Sequence, residues 1–165
     1  MMPRLVLSGM SRFPILLLAT VMLMLCSTEM QGQTQTFTSS GTFVVPPGVT
    51  SITVHCIGGG GAGGTKSSPD GSTGGGGGGA YARKTLTVTP FSSYTVTVGA
   101  GGTRGTTGTN GGDSWFQSQT TVLAKGGSGV AQNVTNTRGT GGTAASSYGD
   151  VKYPGGDGAY GNYST

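Results

Sequence analysis

The chain has 165 residues, 35 of them glycine, with 8% charged residues and a formal net charge of +4. Beyond residue 32, glycine, threonine and serine supply 71 of 133 residues, and neither methionine nor glutamate occurs. Glycine and threonine oppose the α-helix, which excludes a helical protein, and the shortage of large apolar side chains disfavours an enzyme with a deep packed core.

The first 32 residues differ in kind from the rest. Arg4 and Arg12 precede an apolar run from Phe13 to Cys26, broken only by Thr20 and followed by the polar stretch STEMQGQTQT. A basic front, a short apolar run and a polar exit predict a secretory signal peptide over residues 1–32, cut between Ser27 and Gly32. A membrane anchor is the alternative reading, but a span needs about 20 apolar residues. A lipoprotein site at Cys26 would want a small residue where Leu25 stands. The expected location is therefore secreted or cell-surface, with no membrane span after cleavage. Cleavage leaves Cys56 as the only cysteine, so no disulfide framework is available.

The predicted strands then follow in chain order: Gln35 to Thr38, Thr42 to Val45, Ser51 to Ile57, Ala80 to Val88, Tyr94 to Val98, Ser114 to Phe116 and Thr120 to Lys125. Pro46-Pro47-Gly48 is a strong turn signal after the second run, and Pro90 stops the fourth. In Tyr94-Thr-Val-Thr-Val98 the apolar side chains alternate inward and the threonines outward, where a branched side chain suits the pleat. Ile52, Val54 and Cys56 share one face, so Cys56 is expected in the core as a small hydrophobe. A reactive or intermolecular thiol is the alternative. The expected fold is all-β: a small sandwich or partly open barrel of five to seven short strands with long glycine-rich loops.

The glycines carry a period of their own. From Gly99 the chain divides into the triplets GAG-GTR-GTT-GTN-GGD, and GGD-GAY-GNY starts at Gly155. Gly58, Gly61 and Gly64, and Gly71, Gly74 and Gly77, keep the same spacing. Collagen needs abundant proline, which is absent from Gly99 to Asp113. Extended three-residue helices of the polyglycine type fit the period, with backbone groups bonding sideways to neighbours; a flexible linker is the competing reading. The organisation expected is thus a signal peptide (1–32), a glycine-rich β domain (33–129) and a Gly/Tyr-rich tail (130–165). The tail lies across the strand domain or continues into a larger protein.

Catalytic and cofactor motifs fall away on inspection. Gly59, Gly61 and Gly64 match a dinucleotide fingerprint, but no helix follows and no acid stands about 20 residues on. His55 is the only histidine; a triad with Ser114 and Asp113 is conceivable, but a solvated strand histidine is the simpler reading. Asp70, Asp113, Asp150 and Asp157 each stand beside glycine or proline, where aspartate forms turns. No catalytic residue, cofactor or metal is therefore expected. Seven scattered basic residues against four acids in residues 33–165 give no clustered patch for nucleic acid. What remains is aromatic. Trp115, Tyr153, Tyr160 and Tyr163 are the candidate binding residues, because an amphipathic ring on a rigid backbone is a low-entropy contact device. Phe116 is assigned to the core.

The run FTSSGTFVVPPGVTSITVHCIGGGGAGG (37–64), with GGGGGGAYARKTLTVTPFSSYTVTVGAGG (74–102) and GGDSWF (111–116), resembles the glycine-rich domain of phage tail-fibre and adhesin proteins and of secreted bacterial surface proteins. The resemblance spans about residues 35–129. It implies a β-rich module used in attachment, with no known catalysis, whose variable loops touch a cell-surface glycan or protein. Those loops would be Thr65 to Thr73, Thr103 to Asn110 and the tail. The family's usual aliphatic and aromatic residues are here Cys56 and Ile57, and both replacements suit a core. The leader departs from the phage case and favours a bacterial secreted or surface protein, so the sequons at Asn133 and Asn162 are set aside. A structural matrix or spacer domain with no specific ligand is the second functional reading.

Overall fold

The computed structural model describes residues 32–67 and 72–162. The expected signal peptide up to residue 31, Asp70 and Tyr163 lie outside the described residues. Among those residues there is no α-helix. The strands are β1 (Gly41–Val44), β2 (Ser51–Ile57), β3 (Tyr81–Thr87), β4 (Ser93–Thr97), β5 (Ser114–Phe116), β6 (Val122–Ala124) and β7 (Val151–Tyr153).

They form two antiparallel sheets, one of four strands in the order β1-β4-β5-β6 and one of three in the order β2-β3-β7. β2 packs across the gap on β5 and β6, and β3 on β6. The sheets do not close on each other, so the architecture is a sandwich and not a barrel. Strand alternation determines what lies between them. Phe43, Tyr94, Val96, Phe116, Val122 and Ala124 face in from one sheet, and Ile52, Val54, Cys56, Ala82 and Leu86 from the other. The Phe116 ring lies 5.3 Å from Tyr94 and 6.2 Å from Phe43, centroid to centroid. Cys56 is buried, and burial pushes its thiol from 9.0 to about 11. The core reading of both Cys56 and Phe116 holds.

Three local features differ from the sequence expectation. No strand forms over residues 35–38, where Phe37 is the single apolar side chain and no alternating face exists to set a register. β7 was not anticipated, because Val151-Lys-Tyr153 between Gly149-Asp150 and Pro154 is too short for alternation to stand out. Ile57 is not in the core. Cys56 points inward, so its neighbour must point out, and Ile57 is 68% exposed. The Pro46-Pro47-Gly48 turn forms as expected, with Gly48 at φ 78° and the Val49 amide donating to the Pro46 carbonyl at 3.3 Å.

The remainder of the domain is built from glycine. Segments 58–64, 74–80, 99–103, 109–112, 126–130, 137–142 and 155–161 continue from the strands and bond side by side through their backbones. Gly58, Gly61 and Gly64 donate to the carbonyls of Ala80, Gly77 and Gly74 at 2.9, 2.8 and 3.0 Å. Gly59 and Ala62 donate to Gly112 and Thr109, while Gly127 and Val130 donate back to the carbonyls of Gly59 and Ala62. The Gly102 amide reaches the Gly60 carbonyl. Every series advances by three residues, so successive residues of 58–64 address three different neighbours. This is the bonding expected of extended threefold helices. At about 3.1 Å per residue, a seven-residue segment spans roughly 20 Å.

Space, more than conformation, is what glycine supplies here. Among the described glycines, positive φ occurs at Gly48, Gly108 and Gly149 only. A Cβ added at Gly58, Gly61, Gly77, Gly79, Gly126 or Gly141 would nevertheless fall within 3.0 Å of a neighbouring segment's carbonyl. The spacing of such positions follows each segment's surroundings. In the central 74–80 segment, Gly74, Gly76, Gly77 and Gly79 are all blocked, whereas in 155–161 the blocked positions are Gly155, Gly158 and Gly161, one per turn. The triplets of the sequence thus mark a segment with one crowded face, and unbroken glycine marks a segment enclosed on several.

Candidate functional site

The chain passes repeatedly from sandwich to glycine segment and back, so the turns between segments gather at the end away from the strands. Three stretches meet there: residues 65–67, residues 103–109 and residues 131–136. Thr103 and Thr109 clip the second, the Thr103 amide donating to Thr109 Oγ1 at 2.7 Å. The Gln132 amide bonds the Thr106 carbonyl at 3.1 Å, and the Asn133 amide bonds the Thr65 carbonyl at 2.9 Å. Asn133 Oδ1 accepts from the Ser67 amide at 3.0 Å, and its Nδ2 donates to Ser67 Oγ at 2.9 Å. Asn133 and Asn136 have φ of 60° and 55°, the left-handed region that asparagine tolerates better than most residues. Their side chains therefore fit the turn that joins the loops. The exposed surface presents Ser67, Arg104, Thr106, Thr107, Asn133 and Asn136, with Val134 among them: hydroxyls and amides with one guanidinium and one apolar side chain.

The end of the last segment joins the same cluster. The Asn136 amide donates to the Gly161 carbonyl at 3.0 Å, and Ser72 and Asn162 exchange bonds at 2.8 and 2.9 Å. Beside them Tyr160 is 55% exposed with the Arg138 guanidinium 4.7 Å from its ring centroid, and Arg138 pairs with Asp157 at 2.8 Å. Tyr160 thus flanks the loop cluster with its ring held by a cation.

The other candidate aromatics lie elsewhere. Trp115 is on β5, half-buried, opposite Leu123 and Thr97 in the register and facing away from the core that Phe116 enters. Tyr153 is on β7 and stacks on Tyr81 of β3 at 6.0 Å. Tyr81 in turn shares a 2.8 Å hydrogen bond with Nδ1 of His55 on β2. The structure therefore does not assemble Trp115, Tyr153 and Tyr160 into one site. Register instead puts Tyr81 beside Tyr153, with Ile57, His55 and Arg83 on the same face, none of them nominated from the sequence as a binding residue. Cross-strand alignment was the missing signal, because β7 itself was not legible.

The residues of the conceivable triad are each engaged with other partners. Ser114 Oγ is buried and accepts from the Gly99 amide at 2.9 Å. The Asp113 carboxylate pairs with Lys125 and accepts from the Gly126 amide at 2.9 Å. His55 is exposed on the far face of β2 and engaged with Tyr81. Asp113 and Asp157, which accepts from the Gly141 amide at 2.9 Å, bind backbone as turn and segment anchors.

The model of the glycine-rich domain matches residues 36–165. The chain belongs to the glycine-rich domain family. The match runs through the glycine and tyrosine residues beyond Gly129, and those residues of the glycine-rich domain supply β7 and the 137–142 and 155–161 segments. No curated protein matches the sequence.

Proposed function

We propose that this glycine-rich domain is a secreted, non-enzymatic surface or adhesion module of a bacterium, binding a cell-surface glycan or protein through loops carried on a rigid scaffold. The observation that carries the reading is the convergence of residues 65–67, 103–109 and 131–136, cross-bonded through Asn133 and Gln132, at one end of the glycine body. Loops held by a stiff frame lose little entropy on binding, and their amides and hydroxyls suit a polar ligand. The basic-then-apolar pattern of residues 1–32 supports export, and likeness to adhesin sequences supports attachment. Replacing residues 104–107 by Gly-Ser repeats tests the loop cluster. Binding of the exported protein to a glycan array or to cells is expected to vanish while the fold persists; unchanged binding would refute the assignment. N-terminal sequencing of the exported protein, expected to start between Ser27 and Gln33, tests the leader.

The second reading is a spacer whose stiffness is itself the function. The backbone-to-backbone packing of the glycine segments favours it, since a frame without side chains is thin and exposes few extended sites to proteases. Absence of binding across a broad array, with the glycine amides fully ordered, would select it.

A further inference from the structure

The outer face of the three-stranded sheet carries a second surface, remote from the loop cluster and independent of it. Strand register places Ile57, Tyr81 and Tyr153 in one row across β2, β3 and β7, and His55, Arg83 and Val151 in the next. Antiparallel alternation turns all six away from the core, which takes Cys56 and Ala82 between them. Ile57 is 68% and Tyr153 62% exposed, and His55 and Arg83 are exposed too. Tyr81 is fixed twice, by its stack on Tyr153 and by the 2.8 Å bond from its hydroxyl to His55 Nδ1. The result is a pre-ordered apolar and aromatic platform.

Charge selects the occupant. The platform contains no carboxylate, and Arg83 makes no ion pair among the described residues. Asp150, next to Val151 in the chain, meets β3 through its backbone amide on the Arg83 carbonyl. An unpaired guanidinium presents a planar fork that fits a carboxylate with two parallel bonds. Tyrosine rings beside it offer flat apolar faces to the C–H faces of pyranose rings, and the hydroxyls bond at the margin. We propose that this face binds a carboxylated polysaccharide, with a sugar ring over Tyr153 and Tyr81 and the uronate carboxylate on Arg83.

The test uses the chain without its leader and polygalacturonate as the probe, with dextran as the neutral sugar and polyglutamate as the anionic non-sugar. In affinity electrophoresis, polygalacturonate is expected to retard the protein where dextran and polyglutamate do not. Arg83→Gln should weaken retardation about tenfold, the range of one charge-assisted contact, and Tyr153→Ala should weaken it through the lost ring face, while Tyr153→Phe retains it. Both substituted side chains lie on the surface, and unchanged circular dichroism confirms the fold of each variant. Amide shifts on titration should centre on Ile57, Tyr81, Arg83 and Tyr153. Failure to bind polygalacturonate, equal binding of polyglutamate, or shifts centred on residues 104–107 and 132–136 would each overturn the assignment. So would a dimer in sedimentation that Tyr153→Ala dissociates, because the face would then be occupied by a second copy.

Discussion

The domain joins two regions that are stabilised in opposite ways. In the sandwich, backbone bonding leaves 10 Å or so between sheets, and side chains such as Phe116, Tyr94 and Val122 must fill it. In the glycine body the backbones themselves are in contact, and the space for side chains has been removed. The first region gains from apolar area withdrawn from water. The second withdraws little apolar area and relies on paired amides, each contributing modestly on its own, against the large entropy that glycine loses on ordering. The sandwich is written in the sequence with a period of two and the glycine body with a period of three. The difference teaches that glycine content is not a measure of disorder: here a missing Cβ is a packing requirement as strict as a core phenylalanine.

Substitutions can break that equivalence or sharpen it. The largest effect is expected at Gly77, where a Cβ would press within 3.0 Å of the Thr140 carbonyl and the Gly141 amide nitrogen. No flexible side-chain tip is available to yield, so Gly77→Ala should cost more than about 3 kcal/mol, above the usual range for overpacking. Denaturant melts would show it as a lost or greatly lowered midpoint. Next is Phe116→Ala in the sandwich core, expected to cost about 3 kcal/mol by the same measurement.

A smaller effect separates the regions by pH. Burial raises the Cys56 thiol from 9.0 to about 11, so the folded state holds its proton where the unfolded chain has lost it. Its contribution is complete below pH 9 and is lost as pH climbs towards 11, at no more than about 1.4 kcal/mol per pH unit. Comparing wild type with Cys56→Ala across pH 8–11 should isolate that slope; parallel curves would contradict it. The smallest effect is expected at Gly156, where a Cβ would meet nothing within 4 Å. Gly156→Ala should change stability by less than about 1 kcal/mol and towards greater stability, since it narrows the unfolded ensemble. A large loss there would mean that glycine is needed for conformation and not for space.

Much of this was legible from residue patterns, and the failures have physical reasons. β2, β3 and β4 declare themselves because their alternation runs five residues or more, and Gly58, Gly61 and Gly64 declare a threefold segment because the spacing repeats. β7 has three residues and could be placed only by its partner β3. Ile57 was misplaced because apolar character was allowed to outrank its parity with Cys56. The loop cluster was legible as separate loops, while their convergence depends on bonds between residues as distant as Ser67 and Asn133. Tyr153 was found as an aromatic but not its neighbours, since Tyr81, His55 and Ile57 come together only through cross-strand register.

Site-resolved hydrogen exchange compares the two regions most directly. The amides of Gly61, Gly77 and Gly127 donate to Gly77, Ser128 and Gly59 within the glycine body. If backbone packing orders this region as firmly as side chains order the sandwich, these amides should exchange only with global unfolding, at the same free energy as protected amides of β2 and β3. Exchange of the glycine amides within seconds, beside protected strands, would contradict the account.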